Sequence, residues 1–575
     1  MASQTDPLAV SIIKRNDSLK ADRQPWDSLW QNLADYIQPR KNQILSKTIT
    51  PDSTQLADLF DTTAVDANLV LGAGQLQYIT PASERWAGYE APEHIKKQPG
   101  GVPSELSRWY QSCSDVVMRE LARSNFYTEV HEFYLDRGGM GTCNLFVAQG
   151  KKSLFNCSSH PIGTYCIAED DEGTVDTVFR EFKLTVRQAG KKFDVEKLGP
   201  KLKKDYANTD GKSLDKKYTF IHAVYPRAEA DRQPGAQTGP NKPIASIYVC
   251  VEDKTVVSNE GFDEMPYMVS RYLTWGDEVY GYSPSIDALA TIRQVNFIEM
   301  NMDALAEVAA FPRMLFPDSL AGQVDVRAGG VTVFNPNEPA ALPKEWLTQG
   351  RYDIGQERVK SKQELIRRAF HNDLFQMFAQ QTQKMTAYET MQRVAEKLVL
   401  FSPTFARLTT EFLNPFLSRC FGIAYRAGMF EDPPAQAKIP SADGRGTELI
   451  LPQVTYTSKV ALAIKALQNQ AFVEFMGIVG PLVNIAPEVL DNLDSDKLFL
   501  GIANNLSLNP DWLRDEKDRD AMRAARAQQQ QAQASIANAQ ALAKAGGDLG
   551  SAPPEIQDQA MAAFSQPLIP VAGAA

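Results

Sequence analysis

The sequence is short of the residues that most catalytic centres are built from. Its 575 residues include only 5 histidines and 6 cysteines. The histidines, at positions 94, 131, 160, 222 and 371, are scattered along the chain, which argues against a metal site built on imidazoles. His131-Glu132 opens like a zinc-helix motif, but Leu135 stands where the second histidine belongs, so two imidazoles cannot share one helical face. No CxxC occurs among Cys113, Cys143, Cys157, Cys166, Cys250 and Cys420. Thiols so spaced fit a reducing cytoplasm better than a disulfide framework. GxxxxGK[ST] is also missing, and with it any recognisable phosphate-cradling loop.

Long apolar runs are absent too. The most apolar stretch, 475–486, is about twelve residues and includes Gly and Pro, well short of the ~20 that cross a bilayer. The opening MASQTDPLAVSIIKR has no basic segment followed by an apolar one, so no secretory leader is expected. A positive excess is lacking: 60 Lys and Arg face 70 Asp and Glu, a formal net charge of −10. That excludes a uniformly basic nucleic-acid coat but is compatible with a protein that lets DNA pass without gripping it.

Three local clusters invite a chemical reading and receive a plainer one. Gly138-Gly139-Met140-Gly141 reads as a flexible turn between a helix over 126–136 and a strand over 144–147, not as a nucleotide loop. Asp491, Asp494 and Asp496 lack the regular spacing and central Gly of a calcium loop and read as a solvated turn. Glu169-Asp170-Asp171-Glu172-Gly173 has the composition of an acidic hairpin turn. No cofactor, metal or catalytic residue is assigned, and the chain is expected not to be an enzyme.

What the sequence does carry is periodicity. At ~150 residues per domain its length suggests about three to four structural units. Asp6-Pro7 reads as an N-cap followed by Pro at the first helical position. Trp26, Leu29, Trp30, Leu33 and Ile37 then form an apolar helical stripe that stops at Pro39. Further helices are expected over 63–78 and 104–123. From 144 to 269 the pattern changes to short β-like runs, with 164–168, 175–184, 219–225 and 247–251 the clearest. The lysine-rich 191–217 reads as a helix and an exposed loop with a solvated charged face.

The middle of the chain is more telling. Pro284 starts a helical pattern of nearly 30 residues, carried by Ile286, Leu289, Ile292, Val295, Ile298, Met302, Leu305 and Val308 and ending at Phe311-Pro312. A Pro/Gly/Val-rich, β-like insert spans 313–346, and an unusually polar helix follows over 353–370. Residues 372–385 show no burial pattern and read as a functional loop. Thr386 to Glu389 forms a capping box, and Ser402-Pro403 restarts a helix that ends near Gly428. A β-like stretch over 444–456 precedes helices at 460–483 and 494–505, then an Ala/Gln/Arg-rich tail with high helix propensity.

The order of these features resembles the portal, or head-to-tail connector, proteins of short-tailed, podovirus-type bacteriophages. The likeness runs from about Ala21 to Arg523. It is carried by Arg23 with the W-x-x-L/W-x-x-L-x-x-Y-I-x-P pattern of Trp26 to Pro39, by Phe60-Asp61-Thr62-Thr63, and by Leu76 to Pro81. Ser124 to Tyr127, Gly138 to Thr142, Val224 to Arg227 and Pro266-Tyr267 continue it, followed by Tyr280 to Pro284 and Met385 to Glu389. Ala64 departs from the glycine expected after the D-[ST]-T run, and the Ala/Gln tail does not align.

The resemblance implies an α+β, mainly helical subunit with wing, stem, clip and crown, assembling into a ring of about twelve around a central channel. By position, 1–282 would be the N-terminal wing, 283–311 a stem helix, 312–350 the clip and 351–371 the second stem helix. Residues 372–385 would be the tunnel loop, 386–430 wing helices, 431–520 the crown, and 521–575 a helical or disordered tail. The ring would sit at the unique capsid vertex of the virion, after assembly in the host cytoplasm, and conduct double-stranded DNA during packaging and ejection. Expected partners are the terminase large subunit, a tail adaptor protein, major capsid and scaffolding proteins and internal core proteins, with no membrane. Lys384, Arg367, Arg368 and Lys362 are the DNA-channel candidates. Another virion ring, such as a tail adaptor, or a packaging enzyme are the alternatives.

Overall fold

The computed structural model describes residues 6–41, 44, 59–96, 102–208, 211–232, 239–310, 314–315, 344–345, 352–379, 400–440, 447–462, 499 and 516–549. The chain divides into two compact units, Met1–Leu506 and Ser507–Ala575, fewer than its length suggests.

Helix α1 (Pro7–Ile37) begins as its sequence dictates: Asp6 Oδ1 accepts from the Leu8 amide at 3.0 Å and Pro7 opens the first turn. It runs through Pro25 and buries Trp30, Leu33 and Ile37. The Trp30 indole donates to the Met140 carbonyl and packs against Trp26 and Tyr280. Helix α2 (Thr63–Ile79) and a short strand β1 (Ala87–Glu90) lead to α3 (Ser104–Arg123) and α4 (Phe126–Met140). Both α2 and α3 fall where apolar periodicity places them.

Gly138 and Gly139 do not form a flexible turn. They are buried residues of α4, which runs four residues beyond the expected end. Only Gly141 turns the chain, at φ +80°, closing α4 through its amide on the Arg137 carbonyl. A side chain there would meet the Gly281 carbonyl, so both the backbone conformation and the space call for glycine.

Strands β2 (Thr142–Gln149), β3 (Phe155–His160), β4 (Tyr165–Glu169) and β5 (Val175–Thr185) follow. The acidic segment between β4 and β5 is the expected hairpin turn: Asp170 Oδ1 accepts from the amides of Glu172 and Thr174, and Gly173 takes a positive φ. The lysine-rich segment is more helical than its sequence suggests. It holds α5 (Val186–Lys192), capped by a Thr185–Gln188 capping box, then α6 (Pro200–Ala207) and a single turn at Gly211–Leu214. Strands β6 (Lys217–Pro226), β7 (Ile244–Cys250), β8 (Thr255–Phe262) and β9 (Tyr267–Arg271) complete two antiparallel sheets. One has the order β3-β2-β9 and the other β4-β5-β6-β7-β8. The larger sheet buries Phe179, Ile221, Ala223 and Ile247 against the start of α1, and its opposite face carries a separate cluster with α5 and α6.

Helix α7 (Pro284–Ala310) has the expected span. Strands β10 (Met314–Leu315) and β11 (Lys344–Glu345) pair antiparallel, and α8 (Tyr352–Ala369) follows. The first part of the expected loop over 372–385 is a helix, α9 (Asn372–Ala379), whose Leu374 and Phe375 are buried. Its alternation of polar and large apolar residues is an amphipathic turn pair too short to show a period. The rest of that segment and the capping-box helix at Thr386 lie outside the described residues. Residues 400–408 are helical, so the helix expected to restart at Ser402-Pro403 is already under way at Leu400. The helix passes through a π segment, Thr409–Leu413, into α10 (Asn414–Arg426).

Short strands β12 (Lys438–Pro440), β13 (Thr447–Leu449) and β14 (Gln453–Tyr456) follow in the first unit. β14 pairs antiparallel with β1, 367 residues away at Gly88–Thr455, which joins distant segments of this unit. Phe126, Phe133, Phe412 and Phe416 form the aromatic centre of the main core, with Phe126–Phe416 centroids 4.7 Å and Phe133–Phe412 4.3 Å apart. The helices expected at 460–483 and 494–505 lie largely outside the described residues. In the second unit, α11 (Glu516–Leu549) is one 34-residue helix, as its Ala/Gln composition favours.

Candidate functional site

The long middle helix is fixed at its base and open at its far end. Ser285 Oγ donates to the Gly138 carbonyl at 2.9 Å and the Gly281 amide to Thr142 Oγ1 at 2.7 Å, seating the start of α7 on the end of α4. Ala288, Ile292 and Val295 are buried along one face. Past Met302 no side chain of α7 is buried.

Helix α8 runs back along α7. Val359 and Ile366, seven residues apart and so on one face, are its buried residues. Lys362 Nζ donates to Gln294 Oε1, while Gly355 lies against Met302. The partner numbers rise on one helix as they fall on the other, so the pair is antiparallel. A Cβ at Gly355 would collide with the Met302 sulfur, and glycine permits this close approach.

A clasp ties the pair to α2. Asn296 Oδ1 accepts from the Phe60 and Asp61 amides at 2.7 and 3.3 Å, Gln363 Nε2 donates to Asp61 Oδ2 at 2.7 Å, and Asp61 Oδ1 accepts from the Thr63 amide. The Phe60-Asp61-Thr62-Thr63 segment, singled out in the sequence with no role attached, thus caps α2 and holds both middle helices. Burial and the carboxylates of Asp61 and Asp303 raise the Glu299 pKa on this side of α7.

Of the four candidate cations, three lie on α8. Lys362 is half-buried in its bond to Gln294 and is spent on the helix pair. Arg367 and Arg368 are exposed in the last turn, where the helix dipole favours positive charge. Neither forms an ion pair among the described residues. Lys384 lies outside the described residues. The two helices also expose large apolar side chains, Phe297 at 63 %, Leu365 at 50 % and Ile354 at 44 %.

Sequence reasoning missed the charged joint beneath this hairpin. Arg271, at the end of β9, is buried. It donates from its amide, Nε and Nη2 to Glu411 at 2.6, 3.0 and 2.7 Å, from Nη2 to the Gly173 carbonyl at 2.9 Å, and pairs with Glu169. Glu411 belongs to the π segment and also takes Arg407 at 2.8 Å. Arg137, fully buried, donates to the Thr404 carbonyl at 2.8 Å, and Arg419 to the Val147 and Glu264 carbonyls. These long-range pairs leave no local pattern.

Among the described residues no group of three or more His, Cys, Asp or Glu could hold a metal ion. No described helix is long and apolar enough to cross a membrane. All six cysteines are free and buried.

A family model described as bacteriophage head to tail connecting protein matches residues 9–513. The chain is 26% identical over 550 residues to the "Probable portal protein" of Bordetella phage BPP-1, covering 94% of both chains. It is also 26% identical over 540 residues to the "Portal protein" of Salmonella phage epsilon15, covering 93% of this chain and 94% of that one.

Proposed function

The chain belongs to the bacteriophage head to tail connecting protein family and serves as a phage portal, and from that premise we propose how its parts divide the work. Copies close into a ring, about twelve by family resemblance, whose channel conducts double-stranded DNA into and out of the capsid. The antiparallel α7–α8 hairpin is the stem, with 283–311 and 351–371 as its helices and 312–350 as the clip at its tip. The observation that carries this reading is a long helix seated on the body at one end, followed by a β-paired tip and an antiparallel return helix.

Exposed Phe297 and Leu365 suit a stem whose sides are covered by neighbouring copies, since a subunit within a ring meets partners on two sides. Twelve copies at −10 each carry about −120, a field that repels DNA and favours sliding over gripping. Arg367 and Arg368 then offer brief phosphate contacts, joined by Lys384 in a tunnel loop within 372–385.

In this arrangement 1–282 and 386–430 form the wing, 431–520 the crown and 521–575 the tail beyond it. The clip meets the terminase large subunit during packaging and the tail adaptor afterwards. The wing meets the major capsid and scaffolding proteins, and the crown side faces internal core proteins. The ring assembles in the host cytoplasm and remains at one capsid vertex of the virion. Native mass spectrometry with negative-stain imaging tests the premise of the division. A species near 760 kDa, about twelve times 63.7 kDa, with a central hole supports it. Only monomer or dimer at every salt and concentration overturns it.

A further inference from the structure

Across the five-stranded sheet, Tyr165, Arg180, His222 and Tyr248 follow one another on β4, β5, β6 and β7. Helices α5 and α6 cover one end of this face, and Tyr267 and His160 approach the row from the smaller sheet. Between these two covers lie two cations. The Arg180 guanidinium sits 5.0 Å from the Phe182 ring centroid. The Lys192 ammonium, at the end of α5, sits 4.9 Å from the same ring, 4.5 Å from Tyr248 and 5.5 Å from Phe193.

Nothing nearby balances their charge. Among the described residues neither cation pairs with a carboxylate, and Lys192 has Arg180 as its charged neighbour. Burial and Arg180 push the Lys192 pKa down to about 8. His222 cannot help. It is buried and held neutral, with its ring stacked on Tyr248 at 4.0 Å. His222 is satisfied by neutral partners, its Nδ1 lying 2.7 Å from the Tyr267 hydroxyl and its Nε2 3.0 Å from Ser246 Oγ. Neither of these partners carries a negative charge. Two nitrogens of the same seam, Arg180 Nε and buried His160 Nε2, have no hydrogen-bond partner.

A half-buried guanidinium beside an exposed ammonium, both set against aromatic rings and without a counter-ion, is what an oxyanion site requires. We propose that Arg180 and Lys192 bind a phosphate group, either free phosphate or the terminal phosphate of a mononucleotide. Two cations match the charge of about −1.5 to −2 that such a group carries near pH 7 better than they match a single carboxylate. The guanidinium supplies a forked pair of N–H donors and the exposed ammonium a mobile charge at the mouth. The site shares no residue with the α7–α8 hairpin, so it stands or falls apart from the stem assignment.

Isothermal titration of the full chain in chloride buffer, once with sodium phosphate and once with adenosine 5′-monophosphate, tests it. Saturable binding is expected, weakened about tenfold or more in Arg180→Gln and in Lys192→Gln. Binding should persist in Lys192→Arg and in Lys183→Gln, which removes an exposed lysine from the opposite face of β5. Equal response to both probes identifies the phosphate alone as the ligand; response to the nucleotide only makes the nucleotide the source. Lys192→Gln alters only the exposed end of the site, so it reports even where Arg180→Gln fails to fold. Absence of saturable binding with either probe, or binding unchanged in Lys192→Gln, overturns the proposal.

Discussion

Arg271 and Glu411, 140 residues apart, form a three-bond joint between the end of β9 and the π segment of the long helix before α10. The joint also takes in Glu169 and the Gly173 carbonyl, so one guanidinium ties the hairpin of the larger sheet to the smaller sheet and to the helical core. The π segment, with its extra residue in one turn, is where Glu411 enters this joint, and such bulges recur where a helix must re-aim a side chain.

Removing the carboxylate should therefore be costly. Side-chain exposure is 4% for Arg271 and 13% for Glu411, which leaves the guanidinium little water to fall back on. Glu411→Ala is expected to lose about 1.5–3 kcal/mol of stability, the range for hydrogen bonds to a charged group, because Arg271 keeps Glu169 and the Gly173 carbonyl. Glu411→Gln, which keeps the shape and one acceptor, should lose less. Urea unfolding of the two variants checks the order; a Glu411→Ala midpoint equal to the parent's would show the joint to be energetically idle.

The α7–α8 hairpin rests on the contact of Gly355 with Met302. Gly355→Val is expected to destabilise the pair by about 1–3 kcal/mol through overpacking. Met302→Ala, costly by itself at a buried site, should become cheaper in the presence of Gly355→Val, because the added methyls enter the space the thioether leaves. A double-mutant cycle measures the coupling. Strict additivity would mean that α7 and α8 do not meet there.

How much of this was legible in the sequence follows from range. Helices α1, α3 and α7 were readable because each buries one stripe, and a stripe is a local pattern, while α8 was readable as an unusually polar helix. Gly138 and Gly139 misled because glycine commonly marks a turn, whereas here α4 packs too closely for larger residues and Ser285 uses the Gly138 carbonyl. Arg367 and Arg368 could be placed on an exposed helix end from their polar surroundings. Arg271, Arg137 and Arg419 could not be distinguished from surface arginines, because their partners lie more than a hundred residues away.

His160 makes the fold sensitive to acid. It is buried, and burial together with Arg180 and Lys192 lowers its pKa from 6.5 to about 3; His222 shifts in the same direction. The unfolded chain takes up a proton near pH 6.5 and the folded chain only near 3. Stability is thus complete above about 6.5 and falls with pH toward 3, at about 1.4 kcal/mol per unit for His160. His160→Asn should give a shallower decline between pH 6.5 and 4.5 than the parent chain in denaturant titrations. Parallel declines would show that His160 is protonated as readily in the folded protein as in the unfolded one.

Arg367 and Arg368 supply the test of the channel reading at the level of side chains. They are exposed, unpaired among the described residues, and sit at the end of α8 that leads into α9. Their replacement should leave stability within about 0.5 kcal/mol, as for other surface changes. If they touch passing DNA, Arg367→Ala with Arg368→Ala should weaken duplex binding by assembled rings and flatten its salt dependence, since each lost phosphate contact removes about 0.9 from the slope of log K against log salt. Lys384→Ala should act in the same direction. Lys362→Ala should behave differently: its bond to Gln294 makes it a strut of the hairpin, so the loss should appear in unfolding and not in the salt slope. Ring assembly lost in Arg367→Ala with Arg368→Ala, with the isolated subunit as stable as before, would instead assign the two arginines to ion pairs between neighbouring copies. Duplex binding and salt slope unchanged in intact rings would remove them from the channel surface altogether.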